Sequence, residues 1–210
     1  SSFTYTVKDD QGHSDTGLVQ VETKVTPPPC FVAGTLINTE VGPIAVEDLS
    51  VGMHIVTRDH GLQPLRWIGR SRRYATGHNA PVVFASGALG NHGQVALSPN
   101  HRVLVTSELA ELQFGQSEVL VKAKHLVNGD TIRFQADGTL VSYVHLLFDR
   151  HEIVCGNGLE SESYHPGAET LEAFDTETRA EVLELMSDWQ NYGPSARLTL
   201  KSRESALLQL

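Results

Sequence analysis

The sequence predicts a mostly β fold that ends in a helical extension, and three observations support this prediction. Short apolar runs rich in valine, isoleucine and leucine recur between residues 30 and 164, with glycines between them. Many short strands at such spacing are typical of all-β sandwiches and barrels. The runs do not alternate with long helical patterns, as the strands of a parallel α/β sheet would. Helical periodicity is found only after residue 165.

The predicted strands lie where β-branched and other apolar residues cluster between turn residues. They span residues 35–37, 54–57, 94–97, 102–105, 119–121, 131–134 and 153–154. The turns between them carry Gly34, Gly42, Gly52, Gly61, Gly129, Gly138 and Gly158. Glycine suits such positions because it adopts turn conformations without steric cost.

Residues 3–24 predict a hairpin. Phe3, Tyr5 and Val7 alternate with polar residues, residues 18–21 do so again, and residues 9–12 form the turn between them. An isolated hairpin is marginally stable in water, so these strands are expected to belong to a larger unit. Residues 1–25 resemble the last two strands of the cadherin-like or VCBS-type β-sandwich repeats of large secreted bacterial proteins. We therefore expect the chain to be a fragment of something longer.

Residues 26–29 form a proline-rich linker, Thr-Pro-Pro-Pro, that is held extended. It can act as a stiff spacer, and it can also present the Pro29–Cys30 bond to an active site. At the other end, residues 165–210 predict a helical extension packed on the β domain. Its apolar residues recur at steps of three to four, at Leu171, Phe174, Val182, Leu185 and Met186, and a second apolar stretch covers residues 206–210.

Composition narrows the functional classes. The formal net charge of −9 disfavours nucleic acid as a partner, because phosphate binding needs clustered basic residues. The short basic cluster at Arg66, Arg70, Arg72 and Arg73 is interpreted as solvated surface. No apolar run approaches the ~20 residues of a membrane-spanning helix. Neither cysteine lies in a C-x-x-C pair and the histidines are scattered, so no metal site and no cofactor are predicted.

The chemically informative residues are a cysteine and a distant Ser-x-x-His. Cys30 directly follows the three prolines, and Ser98 and His101 flank Pro99 in a predicted tight turn. A thiol one residue beyond a carbonyl has proximity built in, a hydroxyl can donate to an oxyanion, and a histidine can protonate a leaving amine. Each feature alone is weak, since a lone cysteine is usually a small buried hydrophobe. Together they indicate attack by Cys30 on the Pro29 carbonyl.

The chain from Cys30 to Tyr164 resembles a Hint domain, the self-processing module shared by inteins and hedgehog proteins. It is most similar to the bacterial Hint_2 type found downstream of large secreted proteins. The resemblance rests on the segments CFVAGT at 30–35, VEDLSVG at 46–52, LSPNHRVL at 97–104, VKAKHLV at 121–127 and FDRHEI at 148–153. It implies a horseshoe-shaped β fold for residues 30–164.

The resemblance also implies residue roles. Cys30 matches the nucleophile of an N-to-S acyl shift, Ser98 the hydroxyl of the family's Thr-x-x-His motif, and His101 the histidine that helps to break the scissile amide. The shift would leave Pro29 joined to Cys30 as a thioester. Further candidates lie where inteins place polar residues beside the scissile bond, namely His145, Asp149 and His151. Cys155 is either a buried strand residue or a second thiol that accepts the acyl group.

Departures from the family patterns limit the expected reaction. Glu162 and Ser163 stand where a splicing intein has His-Asn, and neither side chain can carry out asparagine cyclisation. We therefore expect cleavage at the N-terminal bond rather than complete splicing. The segment 67–70, Trp-Ile-Gly-Arg, lacks the aspartate with which hedgehog proteins activate a sterol, so cholesterol transfer is not expected.

The sequence thus favours an autocatalytic, single-turnover domain whose substrate is its own N-terminal flank. The thioester would be opened by water, a thiol or an amine, in a protein secreted by a bacterium or displayed on its surface. Two alternatives stay open. The domain is a silent Hint module that acts in binding or secretion, or it is a cysteine hydrolase acting in trans on other peptides.

Overall fold

The structure, a computed structural model, describes residues 2–8, 13–20, 28–167, 171, 174, 176–185 and 192–208. Its strands are β1 (Ser2–Lys8), β2 (Ser14–Gln20), β3 (Phe31–Val32), β4 (Leu36–Thr39), β5 (Gly42–Ala45), β6 (His54–Thr57), β7 (Gly61–Pro64), β8 (Trp67–Tyr74), β9 (Val82–Phe84), β10 (Val95–Leu97), β11 (Arg102–Thr106), β12 (Glu118–Lys122), β13 (Ile132–Phe134), β14 (Leu140–Leu147), β15 (Ile153–Gly156), β16 (Leu159–Glu162) and β17 (Leu198–Thr199). The helices are α1 (Glu108–Phe114), α2 (Thr176–Leu185) and α3 (Ser202–Ser205). The mostly β prediction is confirmed.

Two sheets build the body of the described structure. The first sheet has the order β13-β9-β10-β3-β14-β8. The second runs β17-β12-β11-β16-β15-β4-β6-β7, with β5 paired to β4. Phe31, Leu97 and Val144 of the first sheet and Ile37 and Ile55 of the second belong to one buried apolar cluster. This shared core fixes the two sheets against each other, since burial of apolar surface is the main stabilising contribution.

Both ends of the chain agree with the predicted elements where they are described. Strand β1 pairs antiparallel with β2, while the predicted turn at residues 9–12 and residues 21–27 lie outside the described residues. Helix α2 lies within the predicted helical stretch, and Val182 is fully buried against Trp67, Tyr164 and Leu171. Met186 and residues 209–210 lie outside the description. Among the described residues, no helix combines the length and apolar character needed to cross a bilayer.

Strand pairing, apolar packing and ion pairs attach the C-terminal region to the second sheet. Strand β17 adds parallel to β12, and Leu200 and Leu208 enter the shared core. The guanidinium of Arg197 binds Asp59 at 2.7 Å and Glu118 at 2.8 Å. Residues 192–208 are therefore an integral part of the folded body.

A single glycine shapes the packing under the first sheet. Gly69 lies opposite His145 in the β8–β14 register, and the indole of Trp67 lies across it. A Cβ at this position would lie 2.7 Å from Cζ2 of Trp67, well inside van der Waals contact. Trp67 also packs against the ring of His145, at a centroid distance of 6.2 Å. Because Gly69 has no side chain, the indole of Trp67 can lie over it and support the ring of His145.

We expect Gly69→Ala to lower the free energy of unfolding by about 1–3 kcal/mol, the usual cost of overpacking a core. Urea denaturation followed by tryptophan fluorescence measures the change. Gly93→Ala is the matched control, because its Cβ would meet only ordinary contacts, the nearest at 3.5 Å from the Asn157 carbonyl oxygen. Equal stability of the two variants would contradict this account of Trp67 packing.

Candidate active site

The sheet topology places Cys30 between two strands that carry polar side chains. Phe31, the next residue, pairs with Leu97 of β10 on one side and with Val144 of β14 on the other. The residues that follow these partners are Ser98 and His145, so both lie beside Cys30. A backbone hydrogen bond from Ser98 N to Cys30 O, at 3.0 Å, fixes this alignment.

The thiol of Cys30 is buried and has two polar neighbours. Its Sγ lies 3.0 Å from the carbonyl oxygen of Pro28 and 3.4 Å from Nε2 of His145. Burial raises the pKa of the thiol far above its ordinary range, and the opposing effects of Ser98 and Arg73 are smaller. The resting side chain is therefore a neutral thiol, which needs a base before it can act as a nucleophile.

His145 contacts both the Cys30 thiol and the carbonyl oxygen of the residue before it. Its Nδ1 lies 2.9 Å from the carbonyl oxygen of Pro29. Burial lowers the pKa of His145 to about 4, so the ring is neutral at physiological pH. A neutral imidazole carries one N–H, and the Pro29 carbonyl can only accept a hydrogen bond. Nδ1 therefore carries the proton, and the lone pair of Nε2 faces the Cys30 thiol.

Ser98 holds the other atom of the same peptide bond. Its Oγ accepts a hydrogen bond from the Cys30 amide N–H at 3.0 Å. Its own hydroxyl hydrogen is donated to the carbonyl oxygen of Pro28, also at 3.0 Å. Ser98 is 1% exposed, so these bonds form in a buried site. The oxygen and the nitrogen of the Pro29–Cys30 peptide are thus each bound by a different side chain.

His101 completes the group of predicted residues that the fold brings together. Its ring packs edge-on against Phe31 at a centroid distance of 4.6 Å and lies beside the backbone of Cys30. Neither ring nitrogen has a hydrogen-bond partner among the described residues. Burial lowers the pKa of His101 to about 4, although Glu162 and the Cys30 backbone act in the opposite direction. His101 is a buried, neutral ring beside the backbone of Cys30.

The structure places His151 and Glu162 in a separate buried cluster. Glu162 binds the Arg102 guanidinium at 2.9 Å and accepts from the Arg102 backbone N–H at 2.9 Å. Nε2 of His151 lies 3.3 Å from Glu162, and Nδ1 of His151 accepts from the Ala196 N–H. Burial would raise the pKa of Glu162, but contact with His151 and the charge of Arg102 hold it below its usual range.

Asp149 and Ser163 also lie apart from the thiol. Asp149 forms an exposed ion pair with Arg66 at 2.7 Å. Ser163 is buried, and its hydroxyl oxygen accepts from the Glu152 backbone N–H at 2.9 Å. In the described part of the chain, none of the side chains of residues 149, 151, 162 and 163 is hydrogen-bonded to the Pro29–Cys30 peptide.

A cavity of about 220 Å³ opens beside the thiol. Its lining includes Cys30, Ser98 and His145, together with Arg73, His78 and Phe174. The described residues contain no cluster of three or more His, Cys, Asp or Glu side chains suited to a metal ion.

The fold and this site define a class of self-processing β domain. Residues 29–168 match the family model of the Hint domain, and the chain belongs to that family. The matched region begins at Pro29, the residue before the cysteine. A comparison with curated proteins gives no match.

Among solved structures, the chain is similar to the bacterial intein-like domain from Clostridium thermocellum, with 15% identity and a TM-score of 0.45 over 64% of this chain and 97% of that one. It is also similar to a DnaB intein from Synechocystis, with 12% identity and a TM-score of 0.40 over 64% and 98% of the two chains.

Sequence reasoning did not identify two groups of the site. The Pro28 carbonyl oxygen, which accepts from both Cys30 and Ser98, is a backbone atom and has no sequence signal. Arg73 is exposed, as the sequence predicts, and it also lines the cavity next to the thiol. The register of β8 against β14 places Arg73 opposite Val141 and on the face that it shares with His145, and this long-range pairing has no local sequence signal.

The neutral state of His145 predicts how stability depends on pH. Its pKa is about 4 in the folded protein against 6.5 for the unperturbed side chain, so the unfolded chain binds more protons between these values. The free energy of unfolding should fall as pH drops from 6.5 towards 4, by up to about 1.4 kcal/mol per pH unit from this residue. Urea denaturation of Cys30→Ala at pH 7, 6 and 5 measures the slope. Adding His145→Asn should make the slope shallower, and an unchanged slope would show that His145 is not buried as a neutral ring.

Proposed function

We propose that this domain cleaves its own chain by attack of Cys30 on the Pro29 carbonyl, which releases the N-terminal flank. One observation supports this proposal above all others. The scissile peptide has its oxygen bound by His145 at 2.9 Å and its nitrogen bound by Ser98 at 3.0 Å, with the thiol 3.4 Å from the same His145. A base, an oxyanion donor and a contact to the leaving nitrogen therefore surround one bond.

In the first step the thiol proton passes to Nε2 of His145 while Sγ bonds to the Pro29 carbonyl carbon. The carbonyl oxygen becomes an oxyanion, and the Nδ1–H of His145 stabilises it in a buried environment where such bonds are strong. In the resting state the single S–H is directed at the Pro28 carbonyl oxygen, 3.0 Å away. Rotation of the S–H towards His145 is therefore the event that starts the reaction.

In the second step the carbon–nitrogen bond breaks and the nitrogen of Cys30 becomes a free amine. The proton taken from the thiol returns to this nitrogen, so the acyl shift is balanced without any co-reactant. Ser98 Oγ is within hydrogen-bond distance of that nitrogen and can relay the proton, with His101 beside the same backbone. The product is a thioester between Pro29 and Cys30, which water, a thiol or an amine then opens.

The reaction we propose stops at this cleavage and does not proceed to splicing. Glu162 is held by Arg102 and His151, and Ser163 by the Glu152 backbone. Neither residue carries the side-chain amide that cyclisation of a C-terminal block requires. Glu162 instead supports the turn behind His101, because it accepts from the backbone of the next residue, Arg102.

One observation favours the alternative of a silent binding module. Cys30 is 3% exposed as a residue, and burial raises the pKa of its thiol. A thiol in this state does not react unless His145 accepts its proton, so the two functions differ in whether cleavage occurs at all.

We expect purified protein to separate into residues 1–29 and 30–210, faster with dithiothreitol, and Cys30→Ala to abolish the separation. Intact mass over time measures this, with the thiol adduct on the N-terminal fragment as the signature of a thioester. Cys155→Ala is the matched control, because it removes the second free cysteine of the chain and should leave the rate unchanged. Full-length mass in every sample would assign the chain to the silent module.

We expect His145→Asn to slow cleavage by about 10²–10⁴-fold, the typical contribution of a general base. An asparagine amide can replace Nδ1 as the donor to Pro29 but leaves the thiol without an acceptor. Only thiolate then reacts, so the residual rate should rise about tenfold per pH unit above neutrality. His54→Asn, at an exposed histidine paired with Glu40, is the control. Wild-type cleavage by His145→Asn would remove His145 from the mechanism.

A further inference from the structure

The cavity beside Cys30 is lined by the positively charged Arg73, which has no role in the acyl shift itself. We propose that it binds the molecule that opens the thioester, and that this acceptor is a small thiol or amine carrying an anionic group recognised by Arg73. The inference rests on the proposed function, since it concerns the second half of the same reaction.

Position and size support an acceptor site. The cavity is lined by Cys30 and His145, so a bound molecule lies next to the carbonyl carbon that the thioester would carry. Its volume of about 220 Å³ is below the ~300–1,000 Å³ of ordinary small-molecule sites. It therefore suits a compact nucleophile of a few heavy atoms and is too small for a sterol.

The charge of the lining favours an anion. Arg70 and Arg73 contribute to it, and no acidic side chain is found among its described lining residues. Arg70 is occupied, because its guanidinium donates to the carbonyl oxygens of Glu47 and Leu49 at 3.0 and 2.9 Å. Arg73 donates only to the neighbouring Arg72 carbonyl and forms no ion pair with the residues that the structure describes.

The field of Arg73 reaches the reacting atoms. Its charge acts on both Cys30 and His145, in each case favouring the less protonated form. The chain as a whole carries a net charge of −9 and repels anions, so a local cationic cavity is a means of selecting them. A guanidinium also matches the planar geometry of carboxylate and binds it through two parallel hydrogen bonds.

The acceptor step is a balanced exchange. The acceptor thiolate bonds to the Pro29 carbonyl carbon, the carbon–sulfur bond to Cys30 breaks, and Cys30 leaves as a thiolate that takes up the proton lost by the acceptor. With an amine acceptor the product is an amide, and the surplus amine proton passes to the Cys30 sulfur.

Rates of thioester opening by matched thiols test the proposal. The probes are 2-mercaptoethanesulfonate, which is anionic, 2-mercaptoethanol, which is neutral, and cysteamine, which is cationic. We expect the anionic thiol to react about tenfold faster than the neutral one per thiolate present, equivalent to about 1.4 kcal/mol of binding. The ratio should fall in high salt, since screening weakens an exposed charge contact.

Arg73→Gln should reduce this ratio to about one. Arg72→Gln is the matched control, because it removes the same charge from the next residue of β8, which is not part of the cavity lining, and should keep the ratio. Equal rates for the anionic and neutral thiols, or an unchanged ratio in Arg73→Gln, would overturn the proposal while leaving the acyl shift intact. Absence of Cys30-dependent cleavage with every thiol would instead refute the proposed function.

Discussion

The insertion of β3 between β10 and β14 is the constraint on which the rest of the site depends. This two-residue strand pairs with Leu97 on one side and Val144 on the other. Because strands in a sheet lie about 4.8 Å apart, the residues that follow these partners are held within reach of Cys30. A shift of either neighbour by one residue would move Ser98 or His145 to the opposite face. The fold therefore fixes the geometry of the scissile peptide through backbone pairing.

Burial then sets the protonation state of every group around that peptide. Desolvation keeps the Cys30 thiol protonated and both histidines neutral at physiological pH. These states are complementary, because a neutral thiol needs an acceptor and a neutral imidazole offers one acceptor and one donor. The aromatic rings of Trp67, Tyr164 and Phe174 pack around His145 and contribute to the burial that lowers its pKa. Phe174 of the C-terminal extension therefore influences the histidine that lies beside the thiol.

The sequence predicted β4, β6, β10, β11, β12, β13 and β15 but not β8 and β14, the long pair that carries His145, and the reason lies in the range of the interactions. Local alternation of apolar and polar residues predicts a strand. The position of Cys30 directly after Pro29 predicts which peptide bond it would attack. Ser98 and His101 follow from a short motif. The place of His145 above the Pro29 carbonyl follows from the register of β14 against β3, a pairing of residues more than a hundred positions apart. The sequence motif marks Asp149 and His151 as candidates in the same way as His145. Only the fold shows that Asp149 pairs with Arg66 and that His151 lies against Glu162.

The same geometry explains why an acceptor site would decide the outcome of the proposed reaction. After the acyl shift, the free amine of Cys30 stays beside Ser98 and close to the thioester carbon, so reversal to the amide competes at every moment. An amide is more stable than a thioester, and proximity favours the intramolecular return. Net cleavage therefore requires that capture by an external nucleophile be faster than reversal. A cavity that concentrates such a molecule next to the carbonyl raises the rate of capture without changing the shift itself, which makes the acceptor the control point of the reaction.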